Sequence, residues 1–222
     1  MRGRDERDAP DLWGHERELR AEGRVRVAGG DEVGRGPLAG PVVAAAVILP
    51  EGFDLADIRD SKKLTAAARE RAYARIMEAE SGVLWALGVV GPEEIDRLNI
   101  LRATHRAMRL ALDALPVSPD AVLVDGLPVP GLHPECCRAL VKGDSLSASI
   151  AAASIVAKVT RDRLMAGEFH ERWPQYGFDR HKGYPSPDHL RALAEHGPCA
   201  LHRRSFGPVA QCALRFPPAE EE

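Results

Sequence analysis

The sequence predicts an α/β domain in which helices cover the faces of a mixed sheet. Three observations carry this reading. Short apolar runs at Val42–Leu49, Val83–Val90, Ala121–Val124 and Cys136–Val141 have the length of buried strands. Helical periodicity fills Thr65–Glu80, the stretch from Pro92 to Pro116, and Ser145–Met165. A glycine-rich segment beginning at Gly29 separates Val25–Ala28 from Val42–Leu49, which reads as a hairpin with the glycines as its turn. A hairpin beside strands joined by helices requires strands of both directions in one sheet.

Each element follows from local chemistry. Residues 1–10 are charged and read as a disordered tail. Asp11–Glu22 reads as a short helix capped by Asp11, with Leu12, Trp13 and Leu19 as its apolar contacts. Pro92 with Glu93 and Glu94 is a strong helix start, and Ile95, Leu98, Leu101, Met108, Leu112 and Leu115 keep one helical period. His105 falls on that stripe and reads as a core histidine. The Ser- and Ala-rich segment after Ser145 can pack closely on a sheet.

Composition bounds the function. Apolar residues make up 45% and charged residues 28%, with 5% aromatic, the balance of a globular protein. A formal net charge of −3 excludes a protein held to nucleic acid by bulk charge. Cations do gather locally, at Lys62–Lys63, at Lys158 with Arg161 and Arg163, at Arg180–Lys182 and at His202–Arg204, and each cluster reads as a solvated face. The four cysteines form no C-x-x-C pair, so a zinc ribbon or redox motif has no support. Adjacent Cys136 and Cys137 read as buried thiols. No stretch has the form of a secretion signal or a membrane span, and a cytoplasmic protein is expected.

Two motifs compete over the glycine-rich segment. Gly34, Gly36 and Ala39 satisfy G-x-G-x-x-A, with Asp54 where a ribose-binding acid would sit. A dinucleotide site needs a helix starting inside that motif, and here Pro41 and an apolar strand follow instead. The other reading starts from Asp31 and Glu32, adjacent carboxylates at a strand end. Alone they could be an exposed acidic turn. Asp125 and Asp144 change that balance, because each closes an apolar strand. As isolated features, Asp125 could belong to an Asp-Gly turn and Asp144 could be a helix cap. Acids delivered together to strand ends suit hard cations such as Mg²⁺ or Mn²⁺. Strand neighbours point to opposite faces, so Asp31 and Glu32 can share a metal only if the backbone is irregular there.

With these residues assembled, the chain resembles bacterial ribonuclease HII over nearly its whole length. The likeness rests on Asp31-Glu32-Val33-Gly34-Arg35-Gly36-Pro37-Leu38, Asp60-Ser61-Lys62-Lys63-Leu64, Leu98-Asn99-Ile100-Leu101, Val124-Asp125-Gly126 and Lys142-Gly143-Asp144-Ser145. It continues through Ala152-Ala153-Ser154-Ile155, Ala157-Lys158-Val159-Thr160-Arg161-Asp162, Pro174-Gln175-Tyr176-Gly177-Phe178, His181-Lys182-Gly183-Tyr184-Pro185 and His202-Arg203-Arg204-Ser205-Phe206-Gly207-Pro208. Any one string is weak; together, in order, they are specific. Gly30 departs from the pattern, which usually carries Val or Ile there, and a small packing gap is expected.

The resemblance implies a ribonuclease H-like fold, a five-stranded mixed sheet flanked by helices, with a small C-terminal helical region. It divides the chain into a tail at 1–10, a catalytic domain over 11–166, helices packed on it over 167–216, and an acidic tail at 217–222. It also implies an endonuclease that cuts the RNA strand of RNA/DNA hybrids and incises 5′ to ribonucleotides in duplex DNA. Asp31, Glu32, Asp125 and Asp144 would hold two Mg²⁺ or Mn²⁺ ions. Gly34, Arg35 and Gly36 would read the ribonucleotide, with backbone groups bonding the 2′-hydroxyl. Tyr184 would stack beside the ribose at the junction. Lys62, Lys63 and Arg204 would contact phosphates, which position without specifying. The partner would be hybrid or ribonucleotide-containing duplex, with no membrane and a monomeric state. A nuclease acting on plain DNA and a binding module without catalysis are the alternatives; the presence of all four acids speaks against the second.

Overall fold

A computed structural model describes residues 11–56, 58, 64–126, 128–132 and 135–215. The expected tails at 1–10 and 217–222, and the pair Lys62 and Lys63, lie outside the described residues. Five strands form one mixed sheet in the order β3-β2-β1-β4-β5: β1 is Val27–Val33, β2 Val42–Ile48, β3 Leu84–Val90, β4 Ala121–Asp125 and β5 Cys137–Leu140. Strands β1, β4 and β5 run parallel, with Val27 opposite Ala121 and Val122 opposite Cys137. The helices are α1 (Gly14–Ala21), α2 (Ala66–Met77), α3 (Pro92–Leu98), α4 (Ile100–Asp113), α5 (Ala148–Ala166), α6 (Glu168–Arg172), α7 (Phe178–His181), α8 (Pro187–His196) and α9 (Gly207–Ala213).

By contact density the chain divides into two compact units. The first comprises the described residues up to Asp31 with Ala45–Ala86 and Leu115–Val156; the second comprises Glu32–Ala44, Leu87–Ala114 and the described residues from Ala157 onward. In the first, Leu19, Val27, Ala121, Leu123 and Ile150 form one apolar cluster, with Leu140 packed against it. Glu16 on α1 is fully buried there, and its carboxylate accepts the Ser147 hydroxyl at 2.6 Å and the Ser149 amide at 2.9 Å. A buried carboxylate needs such partners, and these two fasten α1 to the first turn of α5.

In the second unit, Ala39, Met165, Tyr176, Phe178, Ala192 and Leu201 form a core, with a satellite of Leu38, Leu193 and Val209. The loop after β1 is stitched into it: the Leu38 amide donates to Gly183 O at 2.8 Å, and the Gly40 amide to Leu201 O at 2.9 Å.

Several sequence expectations need correction. Gly29 to Glu32 are not a turn but the middle of β1, and the hairpin connection is residues 34–41. Asp31 and Glu32 lie within β1, and the positive-φ break comes at Gly34, with φ +95°. The helix expected from Pro92 to Pro116 is two helices. Asn99 adopts φ 70°, and its side chain accepts the Arg102 amide at 3.1 Å, capping the second helix. Asp11 does not cap α1, whose N-cap is Trp13. Asp11 instead pairs with Arg17. His105 is only half-buried. Burial lowers its pKa first and the Arg35 charge second. Cys136 and Cys137 are also half-buried, free thiols. Arg161 belongs to no solvated face: it is fully buried.

Candidate active site

The acids of the first unit are placed by main-chain packing. A side chain at Gly29 would lie 2.1 Å from the Ser149 carbonyl carbon, so the first turn of α5 rests directly on β1. Asp31 is two residues further along the same strand and therefore shares that face. It is buried, with 6% of its surface exposed. Gly30 pairs with Val124, so one step on, Asp31 stands opposite Asp125 on the neighbouring parallel strand. Adjacent strands are about 4.8 Å apart.

Asp144 arrives from the other side of β4. Lys142 turns the chain through a left-handed conformation, φ 60°, into a 3₁₀ turn over Gly143–Ser145. The Gly143 amide donates to Asp125 Oδ1 at 2.7 Å. A side chain on Gly143 would sit 2.6 Å from Ile150 Cδ1 and 3.5 Å from Asp125 Cα, so this turn is pressed against the end of β4. Asp144 is the next residue, 4% exposed and inside the turn; it is Ser147, just before α5, whose hydroxyl accepts the Ile150 amide at 3.2 Å. Three carboxylates from β1, β4 and the turn after β5 thus come to one end of the parallel strands. Among the described residues no three His, Cys, Asp or Glu side chains form a closed cage ready for a cation. The acids are neighbours by register rather than a finished coordination shell. Their all-oxygen chemistry suits a hard divalent ion.

The second unit holds the other expected residues. Glu32 is paired with Arg35 Nη1 at 3.3 Å. Its side chain is only partly buried. Gly34 has φ +95°, and a side chain there would meet Arg161 Nε at 2.3 Å and Pro41 O at 2.7 Å. At Gly36 an added Cβ would stand 3.7 Å from Tyr184 Cε1, so the structure brings Gly36 of the Gly-Arg-Gly loop close to the Tyr184 ring. Tyr184 is 40% exposed. Arg204 is exposed, and its amide donates to Asp96 Oδ2 at 2.8 Å.

Sequence reasoning placed Arg203 with His202 and Arg204 on a solvated face, and the structure corrects this, since His202 and Arg203 are buried. The Arg203 side chain is fully buried and donates to three carbonyls of the loop: Gly40 at 2.9 Å, Arg35 at 3.0 Å and Gly34 at 2.5 Å. Arg161 donates to two more loop carbonyls, Pro41 at 2.9 Å and Ala39 at 3.1 Å, and to Lys182 at 3.0 Å in the segment before Tyr184. Burial lowers both guanidinium pKa values, to about 9 for Arg203 and about 10 for Arg161. The available signal was weak: arginine in a basic string reads as surface. No helix among the described residues is long and apolar enough to cross a membrane.

Comparison with known proteins agrees with this architecture. The family model described as "Ribonuclease HII" matches residues 28–209. The chain is 55% identical to the ribonuclease HII of Chlamydia abortus, over 88% of this chain and 91% of that protein. It is 53% identical to that of Geobacillus thermodenitrificans, over 90% of this chain and 76% of that one. Among solved structures, ribonuclease H2 from Pyrococcus horikoshii superposes with a TM-score of 0.72 at 26% identity, covering 88% of this chain and 100% of that one. A family match across 28–209, on this five-stranded sheet, makes the chain a member of the ribonuclease HII family of RNA/DNA-hybrid endoribonucleases.

Proposed function

We propose that the chain hydrolyses the RNA strand of RNA/DNA hybrids and incises duplex DNA on the 5′ side of an embedded ribonucleotide. Asp31, Glu32, Asp125 and Asp144 are assigned as the ligands of two divalent ions, Mg²⁺ or Mn²⁺. The observation that supports this most is the strand register. Asp125 stands opposite Asp31, and Gly143, bonded to Asp125, delivers Asp144 beside it. Carboxylates at neighbouring strand ends repel one another unless a cation is present, which is why such a set suits a metal rather than a packing role.

Bound ions would neutralise charge at the scissile phosphate and ease deprotonation of the attacking water. The chain's own residues do the rest. Asp125 keeps one carboxylate oxygen on the Gly143 amide, which fixes its rotamer and leaves the other oxygen for a cation. Gly34, Arg35 and Gly36 present main chain to the sugar edge, where the 2′-hydroxyl separates RNA from DNA. Tyr184, across from Gly36, offers its ring to the ribose at the junction. Arg204, and Lys62 and Lys63 in the segment outside the described residues, are assigned to phosphates. A cytoplasmic, monomeric protein is the working form.

The test is incision of a duplex carrying one ribonucleotide, with Mg²⁺ and with Mn²⁺ separately. A cut 5′ to the ribonucleotide, leaving 3′-hydroxyl and 5′-phosphate ends, is expected. Equal cutting of all-DNA duplex would overturn the substrate assignment.

A further inference from the structure

Two arginines without access to water are unusual, and all but one of the main-chain contacts these two make fall on one short stretch, residues 34–41. Arg203 contacts the carbonyls of Gly34, Arg35 and Gly40, and Arg161 those of Ala39, Pro41 and Lys182. Burying a guanidinium costs several kcal/mol unless its donors are satisfied. Apolar residues of similar volume would fill the same space at lower cost. What an apolar residue cannot do is pull carbonyl oxygens inward.

That pull has a geometric consequence. In a trans peptide the C=O of one residue and the N–H of the next point in opposite directions. No cis peptide bond occurs among the described residues. When Arg203 draws the carbonyls of Gly34 and Arg35 into the core, the amides of Arg35 and Gly36 must face outward. Gly36 is the residue across from the Tyr184 ring. We propose that Arg203 is the positioning residue for sugar selectivity: it aims the Arg35 and Gly36 amides at the 2′-hydroxyl of the ribonucleotide.

Other contacts hold Arg203 itself. Its amide donates to Leu38 O at 2.9 Å. Asp96 on α3 accepts the Arg204 amide at 2.8 Å, the Ser205 amide at 2.9 Å and the Ser205 hydroxyl at 2.5 Å. The backbone on either side of the guanidinium is thus tied down before any substrate arrives, so the amides are oriented in advance. Arg161 sets the second dimension. By bonding Ala39 and Pro41 on one side and Lys182 on the other, it fixes the distance between the loop and the segment that carries Tyr184.

The inference rests on the ribonucleotide-reading assignment above, and the experiment separates the two. Binding is measured by fluorescence anisotropy, in an Asp125→Asn background so that nothing is cut. The probes are a duplex with one ribonucleotide and the same duplex as all DNA. With Arg203 intact, the ribonucleotide duplex binds more tightly; equal binding there sinks the functional assignment, not this one. Arg203→Lys keeps a buried cation and the alkyl stem but has no fork to hold adjacent carbonyls. It should lose that preference by about tenfold, the weight of one well-placed hydrogen bond, while affinity for all-DNA duplex stays within about twofold. Arg203→Gln, a neutral donor of smaller reach, should behave the same way and decides the matter if the Lys variant is too unstable. Variants that keep the full preference, or lose affinity for both duplexes equally, overturn the proposal.

Discussion

The imidazoles of His189 and His202 meet Nε2 to Nε2 at 3.1 Å, inside the second unit. Their tautomers follow from their neighbours. The Cys199 amide donates to His202 Nδ1 at 3.1 Å, so that nitrogen carries no proton. The His202 proton is then on Nε2 and is given to His189, whose own proton sits on Nδ1 and goes to the Tyr184 carbonyl at 2.9 Å. The chain of bonds ends on the backbone of the tyrosine assigned to the ribose.

Acid should therefore weaken the fold. Burial pushes His189 down to about 4, with repulsion from His181 adding to it, and burial with repulsion from His189 pushes His202 to about 3. Both rings are neutral when folded and take up protons near pH 6.5 when unfolded. Stability present above that pH is lost as pH falls toward 4, at most about 1.4 kcal/mol per pH unit for each ring. Urea midpoints at pH 7.5 and pH 5 measure this, and His202→Asn should flatten the slope. An unchanged midpoint would contradict the wiring.

Gly34 and Gly36 should separate folding from recognition. Gly34→Ala forces a side chain at φ +95° onto Arg161, and a loss of about 1–3 kcal/mol is expected. Gly36→Ala meets only Tyr184, at van der Waals distance, so its melting temperature should hold while incision at a ribonucleotide falls. Thermal melts and single-turnover cleavage of both variants decide it. Equal destabilisation of the two would be the wrong pattern.

Asp125→Asn keeps an oxygen for the Gly143 amide but removes the charge. Stability should stay within about 1 kcal/mol, because the hydrogen bond survives. Cleavage should drop by at least about 100-fold, the scale seen when a group stabilising transition-state charge is deleted. Retention of near-normal cleavage would remove Asp125 from the ligand set.

Glu16→Ala tests how the first turn of α5 is held. It strips the Ser147 hydroxyl and Ser149 amide of their acceptor in a fully buried place, and about 2 kcal/mol or more should be lost. Glu16→Gln, which still accepts, should recover part of it. Chemical denaturation of both variants gives the comparison.

The sequence made some elements plain and hid others for physical reasons. Strand β2 was legible because it is apolar throughout, as a strand buried on both faces must be. The acids were singled out as strand-end residues: Asp125 does end β4 and Asp144 lies in the turn after β5, but Asp31 and Glu32 lie inside β1. Gly29 and Gly30 misled because glycine is the common turn residue, whereas here Gly29 is required by the close approach of α5, a long-range contact. Asn99 misled because its positive φ interrupts a stripe whose apolar period continues on both sides. Arg161 and Arg203 were misread as solvated because their partners are main-chain carbonyls, which leave no mark on composition.

The contact at Gly29 also limits what can change. Where helix and strand touch through backbone alone, no side chain lies between them to be trimmed or enlarged, and any residue but glycine would wedge them apart. The spacing of the acids beyond that contact is thus set by peptide dimensions, which mutation cannot vary. Divergence in ion preference or rate among such proteins has to enter through residues outside this seam.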